Sequence, residues 1–333
     1  MVPNKMETKY LPFEEKVKDI DLQISELIKC GEKKGIDYSG DVRRLEKDRV
    51  GVLKELYSNL SAWETVLVAR HPDRPHFVDY VDGIVKEYVP LEGDRYFGRG
   101  KTILGGFGRI GIEKVVVFGQ EKGRKNEEKV YHNFGCPMPE DYRKAKRLMK
   151  LAEKFELPIV SFIDTPGAFP GIEAEERGQA EAISRNLFMM PMLKVPMFAV
   201  NIGEGGSGGA LGIGVPNNFA ALEYSYYSVI SPEGGAGILW KDGTKMYKAA
   251  ESLKVTARDA YKLRAIEDII KEPLGGAHRN YHDIFGAVEN HLVKKIREFK
   301  GISVDKLIEQ RSEMIGKRAG DWMTAENTKG LWN

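Results

Sequence analysis

An α/β layered core with a helical appendage at its N-terminus is the fold class the sequence predicts, and three observations predict it. Continuous apolar runs at Ile112–Gly119 (IEKVVVFG), Pro158–Asp164 (PIVSFID) and Val195–Gly203 (VPMFAVNIG) have the texture of strands covered on both faces. Between the first two lies Glu140–Glu156, where Tyr142, Ala145, Leu148, Ala152 and Phe155 form an apolar helical stripe. A chain of 333 residues exceeds one small core but falls short of three domains.

Taken in order, the first 58 residues read as a helical hairpin. Phe13, Val17, Ile20, Ile24 and Leu27 recur at spacings of four and three, and Val42, Leu45, Val52, Leu53 and Leu56 mark a second helix from about Asp41. Residues 35–40 (GIDYSG) supply the turn. Ser61 and Glu64 have the capping-box pattern that opens the next helix, which Pro72 and Pro75 close. β-rich texture starts near residue 101. After the third apolar run come PNNFAALE (216–223), YYSVIS (226–231), a helix from Pro232, another opened by Thr256, a short run at Ile266–Ile270 and a long helix from about Tyr281 to Phe299. The closing DWMTAENTKGLWN reads as a loose tail. The expected division is a hairpin over 1–58, a main domain over 59–300, and a C-terminal helix and tail over 301–333.

Composition narrows the function classes. Lys and Arg total 51 against 49 for Asp and Glu, a formal charge of +2, which leaves no global field for nucleic acid or an anionic membrane. Cys30 and Cys136 stand far apart with no C-x-x-C partner, so neither a disulfide framework nor a structural zinc site is expected. The N-terminus lacks an apolar leader core, and no apolar run reaches the roughly 18–20 residues of a membrane span. An intracellular, reducing compartment is the expectation.

Several short motifs fail on context. Gly98-Arg99-Gly100-Lys101-Thr102 ends like a phosphate-binding loop, but the glycine required five residues before Gly100 is Arg95, and strand-like ILGGFGRIG follows where a helix should open. Asp164-Thr165-Pro166-Gly167 has the D-x-x-G form of a nucleotide-hydrolase switch, without a base-reading N-K-x-D after it. Gly106–Gly111 matches G-x-G-x-x-G yet runs into a strand, so a β-turn between two strands accounts for it better. Gly205-Gly206-Ser207-Gly208-Gly209 matches the G-x-S-x-G nucleophile elbow, with Asp268 and His278 following in hydrolase order, but four glycines in five positions match many patterns by chance. His278 and His282 lie four apart in PLGGAHRNYH, where Pro and Gly disfavour the helix a shared metal needs.

The glycines suit a different chemistry. At a strand-to-helix turn they let a ligand approach the backbone, and the unpaired N–H groups of the first helical turn point at it. EGGSGG after the third run and DTPGAFPG after the second are two such turns, able to form one pocket for a developing oxyanion without a side-chain nucleophile.

Longer stretches carry a resemblance. VARHPDRP (68–75), GDRYFG (93–98), QEKGR (120–124), NFGCPMPEDYRKAKRLMKLAEKF (133–155), FIDTPGAFPGIEAEERGQAEAI (162–183), IGEGGSGGALGIG (202–214), YSVISPEGGAGILWKD (227–242) and EPLGGAHRN (272–280) stand in order. Through them the chain resembles the carboxyltransferase alpha subunits of the multi-subunit acetyl-CoA carboxylases of bacteria and plastids, from about Phe13 to about Phe299. The resemblance implies a crotonase-like fold, a spiral of ββα turns, for the main domain. It implies an α2β2 assembly with a beta chain of the same fold, which holds most acetyl-CoA contacts and a four-cysteine zinc ribbon. It further implies carboxybiotin delivered on a biotin carboxyl carrier protein, a biotin carboxylase in the larger ATP-dependent complex, and no metal or covalent cofactor on this chain.

The implied reaction transfers a carboxyl group to acetyl-CoA, giving malonyl-CoA, the first committed step of fatty acid synthesis. On the family pattern the biotin-side oxyanion hole falls at Gly205, Gly206, Gly208 and Gly209, with Gly208 and Gly209 favoured because they lie where a helix would begin. Gly167, Ala168, Ser207, Gly234 and Gly235 are the implied substrate-binding residues. QEKGR stands where many members have HQKGR, and Gly235 where many have Cys or Ala. Arg143, Lys144, Arg147, Lys122 and Arg124 are further candidates to attract CoA phosphates. The implied location is the bacterial cytoplasm, or the plastid stroma for an algal or plant source. The alternative is a stand-alone crotonase-like acyl-CoA hydratase, isomerase or decarboxylase, which needs a positioned acid or base.

Overall fold

A computed structural model describes residues 10–320. Helices α1 (Glu15–Lys34) and α2 (Ser39–Ser58) form the N-terminal hairpin. The first ends at Gly35, whose φ of +64° is the left-handed stop that favours glycine. Next come α3 (Ala62–Ala69), capped by Ser61, and α4 (Phe77–Ile84), then β1 (Val85–Pro90), β2 (Ile103–Ile110) and β3 (Glu113–Gln120). Helices α5 (Asn126–Tyr131) and α6 (Pro139–Lys154) lead to β4 (Ile159–Thr165), and α7 (Ile172–Glu176) and α8 (Gln179–Met189) lead to β5 (Met197–Gly206). From β5 the chain enters α9 (Ser207–Leu211) directly, then β6 (Asn218–Leu222), β7 (Tyr226–Ser228), α10 (Pro232–Trp240), α11 (Met246–Ser252), α12 (Ala257–Lys262), β8 (Asp268–Ile270), α13 (Tyr281–Phe299) and α14 (Val304–Gly320).

Seven strands form one path, β1-β2-β3-β4-β5-β6-β8, with β7 paired to the end of β5. β1, β2 and β3 run antiparallel, and every pairing from β3 onward is parallel. Because side chains alternate along a strand, β3 sends Val116 and Phe118 to one face and Val115 and Val117 to the other. The first face packs on Tyr142, Leu148 and Met149 of α6, the second on Phe77 and Tyr80 of α4 and on Ile284, Val288 and Leu292 of α13. Every residue of β4 and β5 is buried, which is why both read as unbroken apolar runs.

The expected β-turn at Gly106–Gly111 is a strand instead. Gly105, Gly106 and Gly108 lie inside β2, where a Cβ would come within 2.5 Å of Phe118, 2.0 Å of the Val89 carbonyl oxygen and 2.3 Å of Val85. These glycines let β1 and β3 close on β2. The turn itself is Gly111, with φ +58°.

The hairpin docks through Val17, Leu53 and Tyr57, which pack against Val68 and Tyr224. Buried Glu14 fixes it: its carboxylate accepts from Tyr57 Oη at 2.9 Å and from the Arg279 guanidinium at 2.6 Å. Glu14→Ala leaves both donors without that acceptor. The expected cost is about 3–5 kcal/mol, read as amide exchange in α1 and α2 that opens well before β4 and β5.

Candidate active site at the strand ends

β4 and β5 are parallel neighbours in register at Thr165 and Gly205, so their C-terminal ends deliver two turns to one place. The contact between these turns is backbone on backbone. A Cβ at Gly209 would lie 2.6 Å from Gly167 C and 2.7 Å from Ala168 N, and one at Gly206 would lie 2.2 Å from the Pro166 carbonyl oxygen. Gly167 itself has φ +153° and nothing within 4 Å of where its Cβ would be, so one side of the turn is open. Its N–H bonds to Thr165 Oγ1 at 3.1 Å, and that hydroxyl donates to Gly135 O at 2.6 Å, which ties the DTPG turn to the loop before α6.

Gly206 is the N-cap of α9, and Ser207 holds a left-handed φ of +47°. Gly208 and Gly209 follow as the second and third residues of the helix, so their N–H groups have no intrahelical acceptor. Gly208 is half-buried, with only Ile183 near its Cβ position at 3.8 Å. Gly205 and Gly206 still belong to the ladder, opposite Tyr227 and Ser228 of β7. A Cβ at Gly205 would meet Tyr227 at 2.5 Å. Their role is close approach, and the N–H groups of a helix start belong to Gly208 and Gly209.

Fully buried Gln120, at the end of β3, braces both turns: its Nε2 donates to Gly209 O at 2.8 Å and its Oε1 accepts from Asp164 N at 3.0 Å. Gln120→Leu would strand a buried carbonyl and a buried N–H, at about 1–3 kcal/mol each. A matching drop in urea-denaturation free energy is expected.

Beneath the turns lies a buried ionic layer. Lys122 Nζ sits 2.6 Å from Asp164 Oδ1 and 2.7 Å from Glu204 Oε1. Arg70 binds the other Glu204 oxygen at 2.7 Å and reaches Glu233 at 2.5 Å, while Tyr226 donates to Glu204 at 2.6 Å. Burial alone pushes the Glu204 carboxyl up, but Lys122 and Arg70 outweigh it and hold it at about 2. Burial likewise opposes the charge on Lys122, and the two carboxylates keep its ammonium above the ordinary value. Glu204 is therefore ionised, and Asp164 is engaged by Lys122 and by the Glu204 N–H at 2.9 Å, so neither carboxyl group is free to face a substrate.

Other sequence-predicted residues fall elsewhere. Gly234 and Gly235 lie in the first turn of α10, where both N–H groups are taken by Ser231, at 3.1 Å to its Oγ and 2.8 Å to its carbonyl. Gly235 packs toward Leu253. Asp268 sits level with Ala220 and hence Val200, seven residues before Ser207 along β5, about 23 Å away at strand rise. His278 is stacked on His71 at 3.7 Å, half-buried with both ring nitrogens shielded and unpartnered, and His282 is exposed. A Ser207 triad does not assemble. Of the basic residues read as phosphate candidates, Lys122 is bound as above, Arg124 pairs with Asp79, and Arg143 pairs with Asp94 at 2.8 Å. Lys144 is buried against Gly100 O, and Arg147 donates to the Glu92 and Gly93 carbonyls. Among the described residues no cluster of three or more His, Cys, Asp or Glu could hold a metal ion, and no helix is long and apolar enough to cross a membrane.

Residues 10–318 match the family described as acetyl co-enzyme A carboxylase carboxyltransferase-like. The chain is 49% identical over 307 residues to the acetyl-coenzyme A carboxylase carboxyl transferase subunit alpha of Geobacter metallireducens, covering 92% of this chain and 96% of that one. It is 45% identical to the subunit of the same name from Brucella anthropi, over 91% of this chain and 96% of the relative. Among solved structures it is similar in fold to transcarboxylase 12S with methylmalonyl-coenzyme A bound, at TM-score 0.51 and 19% identity over 65% of this chain and 41% of that one. A second is a Pseudomonas malonate decarboxylase hetero-tetramer in complex with coenzyme A, at TM-score 0.54 and 12% identity over 69% and 88%.

Proposed function

Since this chain belongs to the acetyl-coenzyme A carboxylase carboxyltransferase alpha-subunit family, we propose that it forms one half of a centre that transfers a carboxyl group from carboxybiotin to acetyl-CoA, giving malonyl-CoA. The other half is a beta chain, in an α2β2 assembly, and a biotin carboxyl carrier protein recharged by a biotin carboxylase brings the carboxyl group. Zinc in this reading belongs to the beta chain. The single observation that carries the reading is the contact of Gly209 with Gly167 and Ala168, which joins two bare-backbone turns into one wall.

Carboxybiotin supplies CO2 when it is delivered. This chain's contribution is to position and to stabilise charge. The N–H groups of Gly208 and Gly209, fixed at the start of α9, meet the oxygen that gains negative charge, and as backbone dipoles they need no reorganisation to do so. The open side of Gly167, with Ala168 beside it, leaves room for a ring to lie flat against the backbone. Gly205 and Gly206 set the closeness of the two turns, Ser207 starts α9 without acting as a nucleophile, and Gly234 and Gly235 serve the packing of α10 rather than the wall itself. A stand-alone acyl-CoA hydratase would need an acid or base free to reach its substrate, and here Asp164 and Glu204 are tied up in ion pairs with Lys122 and Arg70.

The partner surface fits the same end of the sheet. Ile172 on α7, Val229 after β7 and Ile238 on α10 are each more than two-thirds exposed, an apolar rim of the kind that a second chain covers. The experiment is malonyl-CoA-dependent carboxylation of free biotin by this chain alone, a cognate beta chain alone, and the two together. Activity in the mixture alone is expected; turnover by this chain alone, or none in a verified complex, overturns the proposal.

A further inference from the structure

The solvent face of α6 carries more positive charge than the carboxyl-transfer reading uses. With Arg95 and Tyr96 from the loop before β2 and Arg185 of α8, it lines a cleft of about 540 Å³ that shares no residue with the ionic layer. Two carboxylates line it as well, and both are engaged: Glu181 with Arg185 at 2.6 Å, and Asp94 with Arg143. Arg95, Lys146, Arg147 and Lys150 have no carboxylate partner recorded among the described residues, and Arg147 donates only to the Gly93 and Glu92 carbonyls, at 3.0 and 2.9 Å.

A basic helix face is usually just a solvated surface, but here the opposite wall is built. Asp94, its carboxylate buried, accepts from the N–H groups of Tyr96, Phe97 and Gly98 at 2.8–3.0 Å and winds the loop tightly. Arg95 is held in that loop at φ +68°, a left-handed conformation that costs a non-glycine residue strain. Behind it the Arg177 guanidinium stacks on Phe97 at 4.6 Å, and Arg147 pins the loop from α6. The result presents Arg95 toward Arg147, like charge to like: burial first and then Arg95 pull Arg147 below its ordinary value. Repulsion between cations held in a fixed frame is what an anion would relieve. Beside the cations the ring of Tyr96 is 88% exposed.

We propose that this cleft binds a nucleotide carrying two or more phosphate groups, with the phosphates on Arg95, Lys146, Arg147 and Lys150 and the base on Tyr96. Arginine forks and lysine ammonium groups suit phosphate oxygens, and an exposed aromatic ring suits a base. Two sources share this chemistry: the diphosphate and 3′-phosphate of a coenzyme A ester, and a free nucleoside triphosphate. The site lies one helix away from the GGSGG turn, since Ala182 of α8 lines the cleft while Ile183 approaches Gly208. Its coenzyme A source rests on the carboxyl-transfer reading, whereas binding of tripolyphosphate or ATP would stand or fall without it.

The test is calorimetric titration of the full chain, and of its complex with the beta chain, with tripolyphosphate, ATP, coenzyme A and dephospho-coenzyme A. Saturable binding is expected, weakening as salt rises from about 50 to about 200 mM. K146Q/K150Q, on the solvent face, should retain the melting temperature and lose about tenfold in affinity, and R95A a similar amount. Y96A should weaken ATP or coenzyme A about threefold and leave tripolyphosphate unchanged. Coenzyme A outcompeting ATP assigns the cleft to the ester, and the reverse order to a free nucleotide. No saturable binding of any probe, or unchanged affinity in K146Q/K150Q, overturns the inference.

Discussion

Gly209→Ala is expected to lower carboxyl transfer about 10²–10³-fold, whereas Gly208→Ala, one residue earlier, should lower it roughly twofold to threefold. Both substitutions add one methyl group to the same helical turn and keep the N–H. They differ in what the methyl meets. At Gly209 it would stand 2.6–2.8 Å from three backbone atoms of Gly167 and Ala168, and backbone gives way only by moving a turn. At Gly208 it reaches Ile183 at an ordinary 3.8 Å. A shift of about 1 Å in donors aimed at a developing charge is enough to lose most of their effect. The measurement is kcat of the assembled complex in the malonyl-CoA and biotin assay, with circular dichroism and beta-chain binding as controls for folding. Full activity in the Gly209 variant would sink the assignment of these turns; equal damage at both positions would sink the argument from contact.

Lys122→Met should destabilise the chain by about 3–5 kcal/mol at pH 7, because two buried carboxylates lose the cation between them. The pH dependence carries the sign. Glu204 is depressed from its ordinary 4.5 to about 2 in the folded chain, so its contribution is fully present above about pH 4.5 and fades as pH falls toward 2. In the variant Glu204 faces Asp164 without the Lys122 ammonium between them, and protonation of Glu204 relieves the repulsion. The stability gap between wild type and variant should therefore narrow as pH is lowered from 7 to about 4. Denaturant titrations at several pH values check it, and a gap that stays constant across that range would refute the account.

The parallel strands were legible because burial on both faces leaves a continuous apolar run, as at Pro158–Asp164 and Val195–Gly203. β1 was not, because an edge strand such as VKEYVP alternates with exposed charge and carries little signal. The glycines of β2 read as a turn in the sequence because a missing Cβ serves equally for a turn and for a close approach of strands, and the neighbours decide which. The two site turns were found from strand, glycine and helix order, and the long stretches shared with known alpha subunits gave the fold its crotonase-like identity, with which the solved carboxyltransferase structures agree. What the residues alone concealed was the support. Lys122, Asp164, Glu204 and Arg70 are charged residues that composition assigns to the surface, and Gln120 looks like any polar strand end until its two bonds are seen.

The clasp between Glu14 and Arg279 joins residues 265 apart in the chain. Arg74, fully buried, has a similar dependence: its guanidinium is matched by Glu272, 198 positions later. During synthesis the hairpin leaves the ribosome ahead of the main domain, yet its anchoring carboxylate lacks the Arg279 cation until nearly the whole of that domain has followed. At roughly 5–20 residues per second the wait is on the order of 15–50 s. The N-terminal segment is thus made early and docked late, and its docking reports that translation has passed Arg279.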